Sequence, residues 1–171
     1  VNANLDELNP KFGLQWIINP HVSLRAAAFK IVNRGFAVDQ TIEPTQVAGF
    51  NQLNDNIYST ISKNYGIGLD ARCNSQLFGG LEALRRDNEA PFGTVDVPEF
   101  YLIENNQENF YSAYINWLPS HRWAFSIAWR YAKFEDQGCI LCQLFFTTPA
   151  QLRTIALPLK IQYFDPSGFF A

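Results

Sequence analysis

Methionine is missing from this 171-residue chain, and Asp, Glu, Lys and Arg together make up only 17% of it. Its 13 Lys and Arg against 16 Asp and Glu leave a net charge of −3. The cations are scattered, so no basic stripe forms that could release several counterions, and nucleic acid is excluded as a partner. No apolar run approaches the ~18 residues that a transmembrane helix requires. The chain does not open on a basic segment followed by an apolar one, which points to a mature protein, an internal fragment or a protein that is not exported. Only two histidines occur, His21 and His121, each beside a turn and without the further ligands that zinc needs. No Gly-x-Ser-x-Gly elbow is present to carry a nucleophile. Neither enzyme activity nor a cofactor is expected.

Cysteine is scarce as well, with Cys73, Cys139 and Cys142 making an odd count of three. That argues against a disulfide framework, and a lone Cys-x-x-Cys is half of a zinc site. A redox dithiol wants its first cysteine at a helix N-terminus after a buried strand. Here the preceding Lys133 to Gly138 reads as a strand end and loop. A loop disulfide and inert thiols both stay open.

What the chain has in excess is aromatic side chains, 15% of its residues: 15 Phe, 7 Tyr and 4 Trp. Much of this content falls in a strict alternation. Tyr111, Ala113, Ile115 and Trp117 share one parity, and after a break at Leu118 to His121 so do Trp123, Phe125, Ile127, Trp129 and Tyr131. The other parity carries Ser112, Asn116, Ala124, Ser126, Ala128 and Arg130. A soluble sandwich turns its large face to a second sheet, whereas a transmembrane barrel turns it to lipid and keeps small and polar groups in the lumen.

The same period of two recurs elsewhere. Phe12, Leu14, Trp16 and Ile18 share a face before Asn19-Pro20 stops the strand. Val22 to Ala28 continue the alternation, but Phe29 and Ile31 reverse the parity, which predicts either a bulge near Ala27 or departure from the apolar slab. Residues 33 to 46 read as a long loop, Gln46 to Gln52 as a strand, and Tyr65 to Arg85 as a hairpin turning at Asn74-Ser75. Arg85 to Glu99 reads as a polar excursion, and Tyr101 to Glu104 as a short strand ending before Asn105-Asn106. Leu81 to Arg86 shows a brief helical pattern. Ile155 to Tyr163 alternate again, with Pro158 arguing against a central strand. The fold expected is all-β, an antiparallel meander of about eight strands. Its short turns, at Asn19-Pro20, Asn74-Ser75, Pro119-Ser120 and Pro166-Ser167, would lie on one rim with longer loops on the other, as in outer-membrane barrels.

Leu8-Asn9-Pro10-Lys11-Phe12-Gly13-Leu14-Gln15-Trp16 resembles a segment of TonB-dependent outer-membrane receptors in which Asn-Pro opens a barrel strand. Val22-Ser23-Leu24-Arg25-Ala26 resembles that family's next strand, and Ile42-Glu43-Pro44-Thr45-Gln46 the start of another. Thr41 to Asp87 also resembles the barrel region of bacterial outer-membrane proteins carrying tetratricopeptide repeats upstream. The resemblance implies that residues 1–171 are part of a larger transmembrane β-barrel, truncated at both ends, in the outer membrane of a Gram-negative bacterium. It implies outer-membrane lipid and an unidentified small solute as partners, with a periplasmic or inner-membrane energising partner engaged through regions beyond this chain.

Within that frame Arg25, Asp70, Arg72, Glu82 and Arg130 are expected on the lumen side, because an outward Arg at mid-slab costs about 2–4 kcal/mol. Arg85, Arg86, Asp87 and Glu89 are read as an exposed loop base. Trp16, Trp117, Trp123 and Tyr131 are expected in the aromatic girdle, where apolar rings meet lipid and polar handles reach headgroups. The function expected is receptor-mediated uptake or passage of a solute. The alternatives are a non-uptake barrel that anchors a repeat domain or exports a polymer, and a soluble antiparallel β binding module.

Overall fold

The computed structural model describes residues 8–33, 46–52, 59–93, 101–137 and 150–165. Among them there is no helix, and all long elements belong to one antiparallel sheet. In chain order the strands are β1 (Lys11–Asn19), β2 (Val22–Val32), β3 (Gln46–Val47), β4 (Phe50–Asn51), β5 (Ile61–Arg72), β6 (Leu77–Gly93), β7 (Tyr101–Ser120), β8 (Trp123–Asp136), β9 (Gln151–Ala156) and β10 (Leu159–Tyr163). The sheet runs β1-β2-β5-β6-β7-β8-β10, with β9 also on β8. It is not closed: β1 and the β9/β10 line are its two edges.

β9 and β10 are one strand broken at Leu157-Pro158. Ala128 N donates to Pro158 O at 3.0 Å, but proline has no N–H to return the bond, so the ladder lapses for that pair. The expectation that Pro158 disfavours a central strand agrees with its edge position. The short turns share one construction. Asn19 Oδ1 accepts from His21 N at 2.8 Å, Asn74 Oδ1 from Gln76 N at 2.8 Å and Ser120 Oγ from Arg122 N at 3.3 Å. In each, a side-chain oxygen stands in for a backbone acceptor two residues on. All three turns lie at the same end of the meander; the fourth expected turn, at Pro166-Ser167, lies outside the described residues.

Three sequence expectations need correction. Arg85 to Glu89 is no loop base but the middle of β6, whose 17 residues pair continuously with β7. Asn105-Asn106 does not end a strand either, since β7 runs unbroken for 20 residues and turns at His121-Arg122, two positions later than expected. Both segments look like loops because they are polar, yet their backbones satisfy one another across the ladder. The segment from Gln46 is a two-on-two hairpin in place of a single strand, with Ala48 (φ 48°) and Gly49 (φ 84°) at its tip. Positive φ at both positions is the type I′ geometry that matches strand twist. Ala48 is strained there, so Ala48→Gly is expected to stabilise the hairpin by about 1 kcal/mol, read as slower amide exchange at Val47 and Phe50.

The parity reversal at Phe29 and Ile31 has a different cause from a bulge. β2 pairs with β5 without a break from Val22 to Val32. Phe29 and Ile31 remain in register with Arg25 and Ala27, and are buried because the β3–β4 hairpin lies over them. Ala27, Phe29, Ile31, Leu84 and the hairpin's Phe50 form a small core on that face, with Phe110 against it. Among the described residues, none forms a layer over the opposite face.

Candidate functional site

The register places every long-strand side chain on one of two faces, and the two differ sharply. On the open face, cross-sheet rows can be followed from strand to strand. One is Ile67, Ala83, Tyr111, Tyr131, Ile155; the next begins Leu69, Leu81, Ala113, Trp129; the next is Ala71, Gly79, Ile115, Ile127, Leu159; then Leu77, Trp117, Phe125, Ile161. None of these residues is charged. Their apolar side chains stand free, with Ile67, Leu81, Ile115 and Ile155 all more than half exposed.

The band has definite margins. Towards the long connections, the row Tyr65, Arg85, Asn109, Lys133, Arg153 is the first to carry charge on this face. Beyond it lie Lys63 and Glu89, joined at 2.6 Å, and Glu135, joined to Lys133 at 2.6 Å. The hydrogen bond to Glu89 and its charge hold the Lys63 ammonium above its usual range. The hydrogen bond from Lys133 holds the Glu135 carboxyl below its own. Towards the short turns the band ends in rings. Trp117 packs on Phe125 at 5.5 Å, and Trp123 on Tyr163 at 4.9 Å.

Trp117 and Trp123 therefore flank the His121-Arg122 turn, while Tyr131 sits at the opposite margin beside Tyr111 at 6.0 Å and Trp129 at 6.2 Å. Trp16 pairs with Leu24, three positions before β1 ends. Tyr111 and Tyr163 belong to these margins too; parity together with distance from the turn was the signal that could have found them. From Trp123 to Tyr131 the strand rises about 27 Å at ~3.4 Å per residue.

The other face is small and polar. Arg25, Asp70, Arg72, Glu82 and Arg130 all lie on it. Three of the five meet. Arg25 Nε donates to Asp70 at 2.6 Å, and its Nη2 reaches Glu82 at 3.4 Å. Tyr114 Oη donates to Asp70 at 2.7 Å. Tyr114 escaped the sequence reading although it interrupts the run of small residues between Ser112 and Asn116, the place where a bulky residue has to be explained by a polar partner. Arg72 and Arg130 share the face without joining the network, and both are exposed. Arg72, Asp70 and Tyr114 line a cleft of about 290 Å³ at the short-turn rim, where His21 Nδ1 lies 3.0 Å from Arg72 O.

Nearer the long connections the same face holds a second polar layer that the sequence reading missed. Arg86 is ion-paired with Glu108, Ser62 donates to Asn88 at 2.6 Å, and Asn88 donates to Asn106 at 2.8 Å. Asn64, Arg86 and Asn88 are each 2% exposed.

Among the described residues, no group of three or more His, Cys, Asp or Glu could hold a metal. Cys73 is a free exposed thiol, and Cys139 and Cys142 lie outside the described residues. No protein-family model matches the chain, and neither a curated protein nor a solved structure matches it.

Proposed function

We propose that this chain is wall of an outer-membrane β-barrel that serves receptor-mediated uptake or passage of a solute, its open face against lipid and its polar face towards a wet lumen. The observation that carries the reading is the uncharged band, bounded by charge at one margin and packed aromatic rings at both. At the ~40° strand tilt of such barrels the rise of about 27 Å projects to about 21 Å, which fits their ~25 Å apolar belt. An apolar groove of about 480 Å³, floored by Ala71, Gly79 and Ala113 between Leu69, Leu81 and Trp129, has room for a stretch of acyl chain. Among the described residues, β1 and the β9/β10 line each have one side with no neighbouring strand, as addition of further strands to close a barrel requires.

A soluble sandwich would cover the large face first, because that face has more apolar area to remove from water. Among the described residues this chain does the reverse: the β3–β4 hairpin, which lies outside the main sheet, folds onto the small, polar face. That weighs against the soluble binding module.

Spin labels placed singly along Tyr111 to Tyr131 of the full-length protein in lipid vesicles test the reading. Labels at odd positions should collide with dissolved oxygen, and those at Ser112, Asn116, Ser126 and Arg130 with a water-soluble nickel chelate. Protection of the odd positions from both reagents, in a protein that stays dissolved without detergent, would defeat it.

A further inference from the structure

The β3–β4 hairpin lies on the face that the proposed function turns to the lumen, and the residues beneath it are shaped to receive it. Gly13, Ala27 and Gly66 stand side by side on β1, β2 and β5, so three adjacent strands offer their smallest side chains in one row. The hairpin fills that trough. A Cβ on Gly13 would come within 3.1 Å of Ala48 Cβ, and one on Gly66 within 2.7 Å of the Phe50 ring. Phe50 is 1% exposed.

A cation ties the hairpin to the wall. Arg25 donates through Nη1 to Ala48 O at 3.2 Å, and its guanidinium lies 5.2 Å from the centroid of the Phe50 ring. From the opposite side Asp70 and Glu82 hold the same guanidinium, and Tyr114 holds Asp70. The network's charge is thus spent on orienting Arg25 towards the hairpin. A layer packed on a sheet stands about 10 Å above it, so the hairpin narrows the space that this face looks into.

We infer that the β3–β4 hairpin is a built-in constriction that sets the size of solute able to pass, with Arg25 as its positioning residue. This rests on the barrel reading, and the test separates the two. Full-length protein is added to planar lipid bilayers, and its conductance and the largest neutral polyethylene glycol able to enter are measured. Phe50→Ser removes the ring from the trough and should raise conductance at least twofold while admitting larger polymers. Gly66→Ala displaces the same ring from below and should do so too; it serves if the first variant does not fold. Adding Gly13→Cys and Ala48→Cys to Phe50→Ser, with the three native cysteines changed to serine, permits a disulfide that pins the hairpin. Oxidation should then reverse the gain and reduction restore it.

Unchanged conductance and polymer limit in both single variants, or a disulfide that forms without reversing the gain, would overturn the constriction while leaving the barrel intact. Insertion without conductance in wild type and variants alike would also overturn it, because something else would be closing the passage. Failure of the wild-type protein to insert into bilayers at all would remove the barrel reading, and the constriction with it.

Discussion

Arg86→Met is expected to lower the unfolding free energy by about 3–5 kcal/mol. The arginine side chain is 2% exposed and its partner Glu108 16%. The guanidinium also lies 5.6 Å from the centroid of the Phe110 ring, which links the ion pair to the small core. Removing only the cation leaves a carboxylate held away from water with its charge uncompensated, a far larger penalty than the pair's own net worth. Arg86→Met combined with Glu108→Leu should therefore recover most of the loss. Guanidinium titrations of protein refolded into vesicles, followed by tryptophan fluorescence, give all four corners of the cycle. A loss under about 1 kcal/mol, or single effects that simply add, would show that this layer is wetter than its burial indicates.

That arginine is also where sequence reasoning and structure part most clearly. Alternation gave the strand pairs and which residues share a face, because a period of two is a local property that survives any tertiary context. Arg25, Asp70, Arg72, Glu82 and Arg130 are assigned to one side by the cost of an outward charge, and the register does place all five on one face. Arg85-Arg86-Asp87-Asn88-Glu89 carries no apolar alternation, so it looked like loop. Its strand character comes from partners far along the chain, with Ser62, Asn106 and Glu108 supplying polar contacts that let Arg86 and Asn88 be buried. Such pairing is non-local and leaves no mark in a short window.

Phe29 and Ile31 carried a signal that was visible but ambiguous. A reversed parity says only that large residues have changed sides. What they meet there, Phe50 on a hairpin whose closest strand approach involves Gly13 and Gly66, depends on a connection folding back across the sheet. Nothing in the spacing of Gln46 to Asn51 specifies that return. The three glycine and alanine positions that accept it are informative only once β1, β2 and β5 are known to be neighbours.

The second large effect concerns the open face. Leu81→Arg, at the middle of the uncharged band, is expected to destabilise the vesicle-refolded protein by about 2–4 kcal/mol. The leucine is 57% exposed, so in water alone the same change would fall within about 0.5 kcal/mol. Two controls fix the interpretation. Asn109→Arg lies on the same face in the first charged row and should cost only about 0–1 kcal/mol, as charges near the interface do. Ser112→Arg lies between Glu82 and Arg130 on the polar face and should stay within about 1 kcal/mol of wild type. A covered sandwich face would also reject Leu81→Arg, but its cost could not depend on depth in a bilayer or on lipid. Repeating the titration in vesicles of longer acyl chain separates the cases, since a thicker hydrocarbon slab moves the Asn109→Arg charge deeper and should raise its cost towards that of Leu81→Arg. Equal costs at both sites in every lipid, or no cost at Leu81, would show that hydrocarbon is not what this face meets.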